Sequence, residues 1–202
     1  MSGVKTRFIV LVDNRGGNYK PCDRTALVNL LRDNIAGLND VRLIDVRVAS
    51  RHIEFDLLVY SSFVSLCLVL DFLENNVGLV LEVRYVDGGE ERGIIGETLA
   101  EAVKLFNEER FWEFHEVLEP LWRMSKDDEK ELLHGLILTA AAFVNYQKCK
   151  LDRVFSIFTR ALSKLPKSHI VYYGIDIAEL RRKLEDILDS GTVKPFKLSM
   201  RL

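Results

Sequence analysis

The run from Leu132 to Val144, LLHGLILTAAAFV, limits the fold more than any other stretch. Wound as a helix at about 100° per residue, it is apolar nearly all round. A helix without a polar face has to be surrounded, so this one is expected at the centre of a helical bundle. Gly135 and Ala140 to Ala142 are small enough to let neighbouring helices come close. Asp127 or Asp128 caps the helix, which should run to about Lys150.

The stretch Phe106 to Trp122, FNEERFWEFHEVLEPLW, supplies a partner. On a helix, Phe111, Phe114, Leu118 and Leu121 share one side. A second stripe runs beside them: Trp112, His115, Glu119 and Trp122. Residues four apart differ by only about 40° in rotation, so His115 lies one turn before Glu119 and their side chains can meet. Glu113, Glu116 and Arg123 point elsewhere, toward water. Pro120 cannot donate to the carbonyl of Glu116, which predicts a kink or an early end there.

An imidazole and a carboxylate between two indoles are partly shielded, and shielded polar groups need partners. Two readings follow. The pair is a packing hydrogen bond that fixes how two helices meet. Alternatively it is a site, with His115 and Glu119 as its catalytic pair and Trp112, Trp122, Glu116 and His134 as its ligand-binding residues. A metal would need a third ligand, which His134 supplies only if its register faces the pair; H-E-x2-E lacks the second imidazole of the zinc-protease motif. No metal or cofactor is assigned.

The spacing F-N-x3-F-x-E-x-H-E-x-L-E-x2-W covers Phe106, Asn107, Phe111, Glu113, His115, Glu116, Leu118, Glu119 and Trp122. It is followed by Gly135-Leu136-Ile137, Ala140 to Ala142, Arg160-Ala161-Leu162 and Gly174-Ile175-Asp176. This pattern, over residues 94–189, resembles the family called domain of unknown function 309. The resemblance implies a small all-helical bundle and no particular activity. His134 and Leu138 stand where that family often has Gln, and Asn145 stands where His often follows the alanine run, so the family's polar network is only partly kept.

The amino-terminal half alternates differently. Arg7 to Asp13 reads as a buried strand. Asp23 can cap a helix whose apolar side is Leu27, Leu30, Leu31 and Ile35, ended by Gly37. Val41 to Ala49 alternates, with Ile44, Val46 and Val48 one way and Leu43, Asp45 and Arg47 the other. After a turn at Ser50-Arg51, His52 to Tyr60 alternates too, with Ile53, Phe55, Leu57 and Val59 inward. A helix capped by Ser61 or Ser62 and a strand over 79–86 complete a split βαββαβ unit. The predicted fold is therefore α+β: a ferredoxin-like βαββαβ sandwich over 1–88, an all-α helical bundle over 94–190, and a polar tail over 191–202 that is loose or lies on a partner. DGGEERGIIG, 87–96, is the expected boundary.

Asp45, Arg47, Glu54, Asp56, Glu82 and Arg84 fall on the second sheet face, read as solvated or as a contact with another chain. That face lacks the stacking aromatics and basic character of RNA-binding sheets. Asn14 to Asn18, NRGGN, lacks the phosphate-loop spacing and reads as an ordinary turn. His52 and His169 read as solvated. Hydrophobic residues are 48% and charged residues 29%, which favours a folded core over disorder, and a net charge of -2 exerts no pull on nucleic acid or anionic lipid. The apolar stretch 63–73 is too short to span a bilayer and no signal peptide is read. Cys22, Cys67 and Cys149 are odd in number and scattered, as for reduced, buried or half-buried thiols of a cytoplasmic protein. The function expected is a non-enzymatic interaction or small-ligand module, homo-oligomeric, with a hydrolase using His115 and Glu119 as the alternative.

Overall fold

The computed structural model describes residues 5–60, 63–86, 95–168 and 171–200. The chain divides into two compact units, Met1–Gly89 with Gln147–Cys149, and Glu90–Tyr146 with Lys150–Leu202. The first unit is built from β1 (Lys5–Asp13), α1 (Arg24–Ile35), β2 (Val41–Val48), β3 (His52–Tyr60), α2 (Phe63–Asn76) and β4 (Val80–Val86). Its sheet has the order β2-β3-β1-β4, and every neighbouring pair is antiparallel.

Period-two alternation explains which face is covered. Val10 and Val12 of β1 and Ile53, Phe55 and Leu57 of β3 are buried against Leu27 and Leu31 of α1 and Val69 and Leu73 of α2. In α1, Val28 joins this side while Leu30 is exposed. The carboxylate of Asp23 does not cap α1; it accepts from the backbone of Lys20, 2.8 Å away, closing a tight turn before the helix.

Strand β2 departs from the expected alternation. Leu43 lies opposite Leu57 and Asp45 opposite Asp56, so Ile44 is an extra, bulged residue. The bulge resets the phase. Val41, Leu43, Val46 and Val48 all enter the core, and Ile44 is exposed.

The centre of the second sheet face is not solvated, although Asp45, Glu82 and Arg84 on it are only half-buried. Arg47, Glu54 and Asp56 are 1%, 0% and 1% exposed. Burying charge is costly unless it is paired. Arg47 Nε donates to Glu54 at 2.6 Å, and Arg7 donates twice to Asp56, at 2.9 and 2.8 Å. His52, expected in water, is buried with Nε2 3.3 Å from Glu54. Burial pushes the Glu54 carboxyl up, but the Arg47 charge and the His52 contact outweigh it and hold it at about 2. Alternation placed these residues together; it could not show that the face is closed.

Asn14 organises the turn after β1. Its amide donates to the carbonyls of Tyr19 and Ala49, both at 2.9 Å, and accepts from Tyr19 N at 3.0 Å. Gly17 within it takes φ 66°.

The second unit contains α3 (Ile95–Asn107), α4 (Phe111–Met124), α5 (Asp127–Gln147), α6 (Leu151–Lys164), a small hairpin of β5 (Val171–Tyr172) and β6 (Ile175–Asp176), and α7 (Ile177–Ser190). Helix α5 is central as its composition requires: Leu133, Leu136, Ala140, Ala142 and Phe143 are buried in one core with Phe106, Phe111, Phe114 and Phe158. A Cβ on Gly135 would lie 2.7 Å from both Cγ and Cδ2 of Leu165, so this glycine admits the end of α6. Helix α4 runs on past Pro120 to Met124 rather than ending early.

The hairpin makes the unit less than all-helical. It turns through Tyr173 and Gly174, both at positive φ (44° and 87°), the backbone signs of a tight two-residue hairpin. Asp176 then caps α7 by accepting from Glu179 N at 2.9 Å.

The tail is neither loose nor free. Leu198 is buried, Phe196 packs on the core, and Met200 bridges to Ile175. Asn107 fixes it: the amide donates to Leu198 O at 3.0 Å and accepts from Leu198 N at 2.7 Å. All three cysteines are exposed free thiols, not buried ones. No helix among the described residues is long and apolar enough to cross a membrane. The Ser61/Ser62 cap, most of the 87–96 boundary and His169 lie outside the described residues.

Candidate functional site

The α3–α4 junction sets the site. Glu109 at φ 61° allows a short reversal, with Arg110 N donating to Leu105 O at 2.9 Å. Phe106 therefore meets Phe111 and Phe114 edge-on at 4.9 and 5.2 Å, and Phe111 stacks on Phe143 at 4.6 Å. With that face of α4 locked into the core, the next stripe around the helix falls at its margin. Trp112, His115, Glu119 and Trp122 are all half-buried.

The His115 ring lies parallel to Trp112, centroids 5.7 Å apart and 7° between planes. Its Nδ1 is buried and has no hydrogen-bond partner among the described residues. Burial holds the imidazole below its ordinary range, and the charge of Glu119 only partly opposes this. Burial therefore favours the uncharged form of this ring.

Glu119 is close enough to act on His115 through charge, yet its hydrogen bond goes elsewhere. Arg123, exposed as expected, reaches back one turn and donates to Glu119 Oε1 at 2.8 Å. Glu113, by contrast, does not face water. It is buried, and Arg110 grips it through Nε at 2.9 Å and Nη2 at 2.8 Å. The i,i+3 spacing of Arg110 and Glu113 was the available signal. Glu116 is half-buried.

Trp122 and His134 form a second contact, centroids 5.5 Å apart at 44°. Trp122 Nε1 is also buried without a partner among the described residues. Lys130 Nζ stands 5.3 Å over the same ring, a cation–π arrangement. Burial holds the His134 imidazole below its ordinary range, reinforced by Lys164 and opposed by Glu131. His134 therefore faces this flank of α4. Among the described residues, no group of three or more His, Cys, Asp or Glu is placed to hold a metal ion, so His115, Glu119 and His134 do not assemble a three-ligand site.

A cleft of about 640 Å³ lies elsewhere in the unit, lined by Glu129, Glu131, Leu132, Lys164, Leu165 and Tyr172 among others. Its walls are tied by Tyr172 donating to Glu129 and Lys164 to Glu131, both at 2.7 Å. None of Trp112, His115, Glu119 or Trp122 lines it.

Residues 99–154 match the family model described as domain of unknown function (DUF309), in the carboxy-terminal half of the chain. An uncharacterized protein of Aquifex aeolicus (strain VF5) is 30% identical over 98 residues, which is 48% of this chain and 29% of that relative. The chain thus matches less than a third of the relative's own length. A conserved hypothetical protein from Thermus thermophilus, known as a crystal structure, is 30% identical, with a TM-score of 0.39 over 45% of this chain and 95% of that one.

Proposed function

We propose that the helical unit is a non-enzymatic binding module whose groove is the α4 flank of Trp112, His115, Glu119 and Trp122, with Glu116 and His134 beside it. The observation that carries this reading is a pair of orphaned polar atoms. His115 Nδ1 and Trp122 Nε1 are both shielded and unpartnered among the described residues. Each such group costs about 1–3 kcal/mol. A ligand that supplies their missing partners recovers that cost on binding. Indole N–H only donates, whereas a neutral imidazole nitrogen donates or accepts according to tautomer. The complementary ligand is a flat, mostly apolar molecule bearing a carbonyl or carboxylate.

Both tryptophans of the chain lie on this stripe, so its intrinsic fluorescence reports on the groove. Titrating a panel of aromatic carboxylates and amides should change that emission saturably, and His115→Ala should abolish the change while the far-ultraviolet dichroism stays native. If His115→Ala lowers the melting temperature by several degrees and no compound alters the wild-type emission, the residue serves packing alone.

The second reading is hydrolysis with His115 as general base. Its support is that burial disfavours the protonated imidazole, which leaves a ring nitrogen able to accept a proton. It requires Glu119 to leave Arg123 and orient the ring.

For the amino-terminal unit we infer a ferredoxin-like fold spanning 1–88. The element order βαββαβ and the antiparallel order β2-β3-β1-β4 support it. We place the bundle at 94–190, with 191–202 as an appended segment. Three exposed free thiols favour a reducing, cytoplasmic compartment. Self-association is part of the same reading.

A further inference from the structure

Strand β4 ends the sheet on one side; among the described residues it pairs with β1 alone. The opposite edge is blunted by the Ile44 bulge in β2. In β4 one bulge sits near the start, at Leu81, where Val80 pairs with Val12 and Glu82 with Leu11. From Glu82 to Val86 the strand runs regularly against Leu11 to Arg7. Its sequence, VLEVRYV, has neither the proline nor the lysine that guards an exposed edge.

The strand also turns its apolar side outward. Val83 lies opposite Val10, and Tyr85 opposite Phe8, on the face that carries the helices. Yet Leu81, Val83 and Tyr85 are 45%, 40% and 55% exposed. On the same side of the sheet, α2 leaves Val64 and Leu68 in solvent as well.

From this edge we infer an interface with a second copy of this chain, β4 pairing antiparallel with β4 about a two-fold axis through Val83. Charge is antisymmetric about that residue, Glu82 on one side and Arg84 on the other. A two-fold at Val83 sets Glu82 opposite Arg84 of the second copy, and Arg84 opposite its Glu82. It sets Leu81 near Tyr85 and Val83 against Val83. Side chains directly opposite on antiparallel strands share a face. One face of the seam therefore carries two opposite-charge pairs, and the other carries apolar groups only. A shift of one residue in the pairing would set Glu82 against Val83 and leave every charge opposite an apolar residue, so the register is selected. The product is a continuous eight-stranded sheet. An isologous contact of this kind closes at the dimer. This deepens the self-association reading and uses no residue of the groove, so either can fail without the other.

The test is sedimentation equilibrium on the full chain. Wild type should be dimeric at about 100 µM. Glu82→Arg alone, or Arg84→Glu alone, sets like charges opposite each other twice and should weaken the dimer by about tenfold or more. An equimolar mixture of the two variants pairs unlike charges again and should restore dimers, now mixed. That recovery separates a lost interface from a lost fold. The double variant Glu82→Arg/Arg84→Glu should also be dimeric. A wild-type chain that stays monomeric overturns the proposal and leaves the edge to a different protein. So does a dimer that both single variants retain unweakened, because its seam then lies elsewhere.

Discussion

Replacing Gly135 by Ala tests whether α5 and the end of α6 meet as closely as they are placed. The new methyl would stand 2.7 Å from Cγ and Cδ2 of Leu165 and 3.3 Å from the carbonyl of Ala161. Carbon atoms in contact prefer about 3.5–4.0 Å, so roughly an ångström must be found. Leu165 is 3% exposed and has no solvent to swing into. Its own N–H is bound to Ala161 O at 3.1 Å, which ties its backbone to α6. Overpacking of this kind costs about 1–3 kcal/mol. Against it, alanine is better than glycine in a helix by about 1 kcal/mol. The net expectation is a destabilisation between about 0 and 2 kcal/mol. Urea unfolding followed by tryptophan emission reads the correct unit, because Trp112 and Trp122 both lie on α4. In a Leu165→Ala background the obstacle is gone, and Gly135→Ala should become neutral or stabilising, a coupling of about 1–2 kcal/mol. If Gly135→Ala raises stability in the otherwise unaltered chain by the full helix-propensity gain, the close approach is refuted.

Two further outcomes are expected. Asn107→Ala removes both hydrogen bonds to the Leu198 backbone and should cost about 1–3 kcal/mol, with faster amide exchange and proteolysis confined first to residues 193–200; an unchanged exchange pattern would sink the clasp. Folding holds the imidazoles of His115 and His134 below their ordinary 6.5. Above that pH both states are neutral and stability is flat; as pH falls below about 6.5 the unfolded chain takes up protons first and native stability declines. Urea midpoints measured between about pH 7.5 and 5.5 should fall, and His115→Gln should flatten the decline.

Much of the framework was legible from periodicity. The inward set Ile53, Phe55, Leu57 and Val59 is buried as alternation required, and the all-round apolar run of α5 is central. What periodicity could not carry was any feature with a single extra residue or a long-range partner. Ile44 is apolar like its neighbours, so nothing in its composition marks a bulge. The Tyr173-Gly174 turn lacks the Asn-Gly or Asp-Gly signal that announces a tight hairpin. Arg47, Glu54, Asp56 and His52 read as a wet face because charge is ordinarily solvated; only their mutual pairing makes burial tolerable. In the candidate site the stripe itself was legible, and so was the His115–Trp112 neighbourhood. The partner of Glu119 was not. Arg123 stands four residues after Glu119, as Glu119 does after His115, and spacing cannot decide which neighbour takes the carboxylate.

Asn107 and Leu198 are 91 positions apart. On a ribosome adding about 5–20 residues per second, that interval is about 5–18 s. Through it, Asn107 emerges without the strand-like segment it will hold, and Phe106, its neighbour, waits for Phe196. The aromatic nucleus of α3, α4 and α5 can gather early, whereas its last wall arrives late. Vectorial synthesis therefore exposes this unit to a long vulnerable interval just where its phenylalanine rings are collected.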